Sequence, residues 1–503
     1  MTAMDDSKCA TGIAGLDDIL RGGFPARRLY LVQGAPGSGK TTLALQFLLM
    51  GARAGERVLY ISLSETREEI EEVARSHRWS LAGLDIVELS AIDGQLSAEA
   101  QNTLFHTAEV ELTETTRLLL DAVERVQPNR LAFDSLSELR LLSQSPLRYR
   151  RQILSFKQYL AGRNCTTLLL DDMSNGESDS HLQSLAHGVI SLDQFAPKYG
   201  AERRRFLVKK IRGTTYRGGF HDFIIQTGGL VFYPRLVAAE HHRSFPNENV
   251  SSGVKGMDAL LGGGLVRGSS SLFMGPPGSG KSTLALHFAV AAAARGERTA
   301  IYSFDESLGI MRARADGLNM GLSKLITEKK IAATKIDPAE LSPGQLNNLV
   351  RNAVEEDGIK LILIDSLNGY LQSMNDERAL SLQLHELLTY LNQQGVVTIL
   401  VLAQHGLIGY MQTPVDITYL ADTVITFRYF EALGAVHKAI SVVKKRTGSH
   451  EGTIRELTIE KTGIAVGPPL VNFRGVLTGT PELSKVQSPA RGPRRSHAKR
   501  KRS

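Results

Sequence analysis

A chain of 503 residues with 42% hydrophobic and 22% charged side chains has the composition of a folded globular protein, and its length suits about three domains. No apolar run approaches the roughly 18 residues a bilayer-crossing helix needs, and the acidic start MTAMDDSKCA lacks the apolar core of a secretion signal. The formal charge of +7 is local: eight Lys/Arg and no acid lie between Lys485 and Ser503, so the rest sums to −1 and gives no argument for a nucleic-acid surface.

Taken in order, the chain first offers Cys9, which with Cys165 makes the full cysteine complement. Two thiols fit a reducing cytoplasm and supply neither a disulfide framework nor a zinc site. The apolar run Leu29–Val32 then predicts a buried strand. It leads into GAPGSGKT, residues 34–41, and the helical pattern TTLALQFLLMGARAG follows. The octapeptide fits G-x-x-x-x-G-K-[ST], a phosphate-binding loop. Gly34, Gly37, Ser38 and Gly39 let successive backbone N–H groups turn inward on a triphosphate. Lys40 reaches the β- and γ-phosphates, Thr41 holds Mg²⁺, and Thr42 opens the helix whose N-terminus adds positive potential.

Further strands are predicted at Val58–Leu63, Arg130–Phe133 and Thr166–Leu170, separated by helical patterns. Continuous apolar strands alternating with helices imply a parallel sheet covered on both faces. FLVKKIRG and FIIQTGGLVFY alternate without helices and extend the sheet as hairpins. A polar, proline-interrupted stretch, residues 234–249, then marks a join.

After the join the chain repeats itself without a gap, shifted by 241 residues from Lys40 to Lys281. GPPGSGKS, residues 275–282, supplies Gly275, Gly278, Ser279, Gly280, Lys281 and Ser282, with Thr283 next. Gly12/Gly253, Asp17/Asp258 and Glu65/Glu306 share the shift. A period this long is a duplicated domain, not a solenoid. We therefore expect an N-terminal domain at 1–240, a C-terminal domain at 241–484 and a disordered basic tail at 485–503.

A triphosphate site needs a metal holder and a group that orients water. Asp134 in LAFDSLS and Asp365 in LILIDSLN end apolar strands and are expected to hold the Mg²⁺ shell with Thr41 and Ser282. Glu65 in YISLSET, and Asp305 and Glu306 in YSFDESL, follow the next strand. They are candidate bases at the edge where open α/β sheets bind ligands.

These tandem loops, the T-G-I-x-G-L-D lead-in, the F-D-E-S segment and V-K-K-R-T-G-S-H-E together resemble the KaiC family of clock ATPases with two RecA-like domains. The resemblance covers residues 8 to about 482. It implies an α/β fold of two tandem RecA-like P-loop NTPase domains, ATP and Mg²⁺ as ligands, and a double-ring homo-hexamer with ATP at subunit interfaces. It also implies KaiB-like or histidine-kinase-type signalling partners. Lys210 and Arg212, and Lys444 and Arg446, match the pairs that reach a neighbour's γ-phosphate. Thr418 and Tyr419, with Thr413 nearby, occupy the positions of an autophosphorylated Ser-Thr dyad. The chain departs from the family pattern at Ser64, which replaces the first of two adjacent acids. That bears on the hydrolysis rate of the first site, not on its ATP binding. Two other readings share the loops: a DNA-directed recombinase or helicase ATPase, and a nucleotide-gated scaffold without kinase activity.

Overall fold

The computed structural model describes residues 8–89, 107–143, 145–173, 180–197, 199–371, 377–404, 406, 417–432, 434–461, 463–478 and 482–483. Thr413 and the basic stretch 485–503 lie outside them. The chain divides into two compact units, residues 1–236 with 339–349, and residues 237–338 with 350–503.

The first unit is built on a nine-stranded sheet. In chain order its strands are β1 (Leu29–Gly34), β2 (Val58–Ser62), β3 (Leu84–Glu88), β4 (Arg130–Asp134), β5 (Thr166–Asp172), β6 (Gly188–Phe195), β7 (Arg203–Ile211), β8 (Phe220–Gln226) and β9 (Gly229–Tyr233). They lie side by side as β9-β8-β7-β6-β1-β5-β4-β2-β3. From β6 to β3 every pairing is parallel, and β7, β8 and β9 are added antiparallel. The strands are apolar on both faces because both faces are covered. Tyr30, Val32, Val58, Tyr60, Leu168 and Leu170 enter one core, beside Leu43, Phe47 and Leu48 of α1 (Lys40–Arg53). Their neighbours Leu29, Leu31, Leu59, Ile61 and Leu169 enter the other. Continuous hydrophobicity with period-two alternation between two cores is the mark of a doubly covered sheet.

The second unit repeats the arrangement. Its strands are β10 (Ser270–Gly275), β11 (Thr299–Ser303), β12 (Ile331–Lys335), β13 (Leu361–Asp365), β14 (Val397–Ala403), β15 (Thr423–Ala432), β16 (Ala435–Lys445), β17 (Arg455–Glu460) and β18 (Gly463–Pro469). Their order, β18-β17-β16-β15-β10-β14-β13-β11-β12, is that of the first sheet strand for strand. The edge strands β3 and β12 are half-exposed and carry too few apolar residues to stand out in the sequence.

The lead-in that both repeats share has a structural cause. Asp17 accepts hydrogen bonds from the backbone and hydroxyl of Thr11, both at 2.8 Å, and from Gly12 N at 3.0 Å. Asp258 does the same for Ser252, at 2.8 and 2.7 Å, and also binds the Ser251 hydroxyl. A second shared acid sits after the loop helix. Glu56 pairs with Arg130 at the start of β4, whereas its counterpart Glu297 pairs with Arg267, which also holds Glu248 at 2.6 Å. The same carboxylate position is thus neutralised from two different elements.

Arg130 is 3% exposed and donates further to the carbonyls of Ala10 at 2.8 Å and Phe47 at 2.9 Å. Removing it strands a carboxylate and two carbonyls. Arg130→Ala is expected to cost the first unit about 3 kcal/mol in denaturant unfolding. Because the two residues interact directly, the Arg130→Ala/Glu56→Ala double variant should lose less than the sum of the single losses.

Candidate nucleotide-binding sites

In the first unit the phosphate loop spans the end of β1 and the start of α1, and α1 begins at Lys40 itself. Gly37 and Gly39 take φ of 79° and 99°, a left-handed conformation that L side chains resist. At Gly34 a Cβ would lie 2.4 Å from the Ser38 hydroxyl and 2.6 Å from the Leu192 carbonyl, so only glycine fits. Lys40 Nζ folds back to the carbonyls of Gly34 and Ala35, each at 3.0 Å, and meets Asp172 at 2.6 Å. Thr41 donates its hydroxyl hydrogen to Asp134 at 2.9 Å, and Tyr60 donates to the same carboxylate oxygen at 2.6 Å. Burial raises the Asp134 pKa above the usual carboxylate range, against the pull of those two hydrogen bonds.

Parallel register gathers these groups. Gly34 pairs with Asp172 across β1 and β5, and Ser62 pairs with Asp134 across β2 and β4. Four strand ends therefore deliver their residues to one edge. Just beyond β2, the Ser62 hydroxyl accepts from Glu65 N at 2.9 Å and donates to Glu65 O at 2.6 Å, fixing the turn. Thr66, not Glu65, caps the next helix, α2 (Arg67–Ser76), in a capping box with Glu69. Glu65 is thereby freed of a capping role. Its Oε2 is buried without a hydrogen-bond partner. Burial first, then the charge of Asp134, pushes the Glu65 carboxyl up to about 7.

The second unit forms the same loop between β10 and α3 (Lys281–Ala294), with Gly278 and Gly280 at φ of 74° and 102°. Lys281 Nζ donates to the Pro276 carbonyl at 2.7 Å, and burial lowers its pKa to about 8. Asp365 is raised by burial and opposed by a hydrogen bond from the Ser282 hydroxyl, the counterpart of the Thr41–Asp134 contact. Ser307 caps α4 (Leu308–Gly317). Glu306 is not free as Glu65 is. Arg314 on α4 grips both its oxygens, at 3.1 and 2.7 Å, while Asp305 accepts from the Ser366 hydroxyl.

The fit to ATP and magnesium follows from the atoms present. Thr41 with Asp134, and Ser282 with Asp365, offer the oxygen donors Mg²⁺ prefers, leaving its other positions to water and phosphate. The buried Ser38 hydroxyl has no partner beside the loop glycines, and neither does Glu65 Oε2. Both suit a site shaped for an additional polar group. Among the described residues no cluster of His, Cys, Asp or Glu forms a separate metal site, and no helix is long and apolar enough to cross a membrane. Cys9 and Cys165 are free and buried.

The paired cations lie away from the loops, at the end of β7 and the end of β16. Lys210 donates to the Gln183 carbonyl and Arg212 to that of Ser184 at 2.8 Å. Lys444 donates to the carbonyls of Thr418 and Ala421, both at 2.8 Å, and Arg446 to that of Tyr419 at 2.7 Å. In the first repeat the pair holds the short helix Ser180–Leu185 that precedes β6, and in the second the turn before β15. Thr418 is half-buried there, and Tyr419 is exposed.

Three residues at these sites escape sequence reasoning. Asp172 does have a signal, an apolar strand ending in acid as at Asp134. Tyr60 has none, being one apolar strand position among several. Arg314 is found only by aligning the repeats, where Val73 stands in its place.

Two phosphate loops, each at the carboxyl edge of a mostly parallel sheet that also carries a strand ending in acid, define a tandem RecA-like ATPase. The chain belongs to the KaiC ATPase family, whose description, ATPase: KaiC, matches residues 9–237 and again 250–471. It is 27% identical over 491 residues to the circadian clock protein KaiC2 of Synechocystis, covering 95% of this chain and 84% of that one. To the circadian clock oscillator protein KaiC of Acaryochloris marina it is 27% identical over 490 residues, covering 94% and 91%. The KaiC of Synechococcus elongatus is 26% identical over 483 residues, covering 94% and 92%.

The Glu65 environment gives a test without nucleotide. The folded chain keeps a proton on Glu65 up to about pH 7, which the unfolded chain releases near 4.5. Stability therefore falls as pH rises through that window and stays reduced above it. In EDTA without nucleotide, Glu65→Gln should raise the melting temperature relative to wild type at pH 8 and leave it unchanged at pH 4. An equal gain at both values would sink the burial account.

Proposed function

We propose that the chain binds Mg·ATP at both loops and hydrolyses it, with Glu65 and Glu306 as the groups that orient and deprotonate water. The observation carrying this reading is the Thr41–Asp134 contact beneath Lys40, repeated by Ser282 and Asp365 beneath Lys281. Magnesium, when bound, neutralises charge building on the phosphoryl oxygens. Lys40 leaves Asp172 for the phosphates, and the loop N–H groups hold them in line. Glu65, standing beside the loop with an uncommitted oxygen, accepts the water's proton. A base whose pKa lies near the working pH suits that role. Loss of the neighbouring acid at Ser64 removes charge repulsion from Glu65 and leaves the proton acceptor itself in place.

Assembly extends the reading. We infer a cytoplasmic homo-hexamer in which Lys210 and Arg212, or Lys444 and Arg446, face the next subunit's nucleotide. Cations supplied there stabilise the transferring phosphoryl group as arginine fingers do. In the single chain Lys444 and Arg446 already rest on the turn holding Thr418, so repositioning them on a phosphate would reshape that turn. Thr418 is the proposed phosphoryl acceptor, and Tyr419 the competing one. The clock names of the relatives support a timing or signalling role exercised through nucleotide-dependent partners.

Two experiments test this. Lys40→Ala with Lys281→Ala should abolish ATP binding and, through linkage, ATP-dependent assembly on gel filtration. Hexamers that persist in the double variant would remove nucleotide from the interface. Incubation with Mg·ATP followed by mass spectrometry should place phosphate on Thr418, and Thr418→Ala should lose most of it. Phosphate on Tyr419 alone, or none at all, would leave the ATPase reading without its kinase extension.

A further inference from the structure

The two repeats differ at the group proposed to accept the water's proton. Glu306 and Glu65 occupy the same position after the second strand of their sheets, and α4 and α2 start in register behind them. On α4, Arg314 turns its side chain back toward the helix N-terminus, as long helical side chains do. Its Nε and one terminal nitrogen take the two oxygens of Glu306 at 3.1 and 2.7 Å. The other terminal nitrogen donates to the Thr283 hydroxyl at 3.0 Å. Every nitrogen of the guanidinium is engaged, with the Arg314 and Glu306 side chains 28% and 24% exposed. The first repeat keeps the threonine, as Thr42, but has Val73 where the arginine would be. There Glu65 Oε2 is left without a partner.

We propose that Arg314 is a positioning residue that holds Glu306 in a two-point clamp and thereby makes water attack slower at the second loop than at the first. The proposal rests on the reading of Glu306 and Glu65 as bases. Its physics is direct. A planar guanidinium matched to a carboxylate forms the strongest kind of side-chain pair and fixes the orientation of both groups. Both Glu306 oxygens already accept charge-assisted hydrogen bonds, so turning either toward a water means giving one up. The anchor on Thr283 ties the clamp to the loop helix, so Glu306 cannot swing toward the phosphate without breaking a second contact. A triphosphate on the second loop accordingly persists longer than one on the first.

The test uses full-length protein with Glu65→Gln, so that only the second loop turns over. Adding Arg314→Met should raise kcat roughly three- to tenfold, with KM for Mg·ATP within about twofold, as expected for a base released from a bidentate cation. Arg314→Lys should fall between, since an ammonium restores charge without the two-point geometry. The reciprocal variant, Val73→Arg in a Glu306→Gln chain, should slow the first loop. Unchanged or reduced kcat in Arg314→Met, with an unaltered melting temperature, overturns the clamp. Should Arg314→Met melt early, an unaltered rate in Val73→Arg overturns it instead. Adding Glu306→Gln to the Glu65→Gln chain separates the two readings. Hydrolysis that survives both changes refutes the base assignment without touching Arg314.

Discussion

Everything at these sites depends on the parallel register of the central strand with its neighbours. A parallel pair places residues of equal rank at the same height, so a strand that ends in acid presents it at the sheet edge where the phosphate loop also lies. Gly34 against Asp172 and Ser62 against Asp134 are two instances, and Ser303 against Asp365 repeats the second. A slip of one residue would turn these acids into the core and bring apolar residues to the edge. The two hydrophobic cores, which take alternate residues of each strand, hold that register.

Duplication gave both sheets one strand order, yet the polar groups around each loop have diverged. Asp172 faces Lys40 in the first unit, whereas β14 ends in Ala403 at the matching height. Tyr60 donates to Asp134, but Ile301 stands at its counterpart. Arg314 engages Glu306, and Val73 replaces it. Backbone geometry was copied together with its glycines, because a left-handed turn admits almost nothing else. The charges around it were free to change in pairs.

What could be read in advance followed the physics of each signal. The loops were legible because their function requires glycine, lysine and hydroxyl at fixed spacing. Buried parallel strands were legible because burial on both faces forces unbroken apolar runs. β3 and β12 escaped because an edge strand faces water and needs no such run. The hairpin strands β7 to β9 were visible from FLVKKIRG and FIIQTGGLVFY, which alternate as one-sided strands do. Contacts between side chains distant in sequence leave no periodic trace, so neither the Arg314 grip nor the Tyr60 hydroxyl could be anticipated from one copy alone. Glu65 was found by its spacing, but its buried, unpaired oxygen belongs to the packing around it.

The ion pair between Lys40 and Asp172 has a consequence for what each loop asks of an anion. In the first unit the Lys40 ammonium is neutralised by a carboxylate of the protein itself, 2.6 Å away. In the second, Ala403 stands at the matching height, Lys281 donates to the Pro276 carbonyl, and burial pushes its pKa down to about 8. An ammonium held in a poor dielectric environment without a close carboxylate favours an anion brought from outside. On these charges alone the second loop has the greater electrostatic need of a bound anion and the first the lesser.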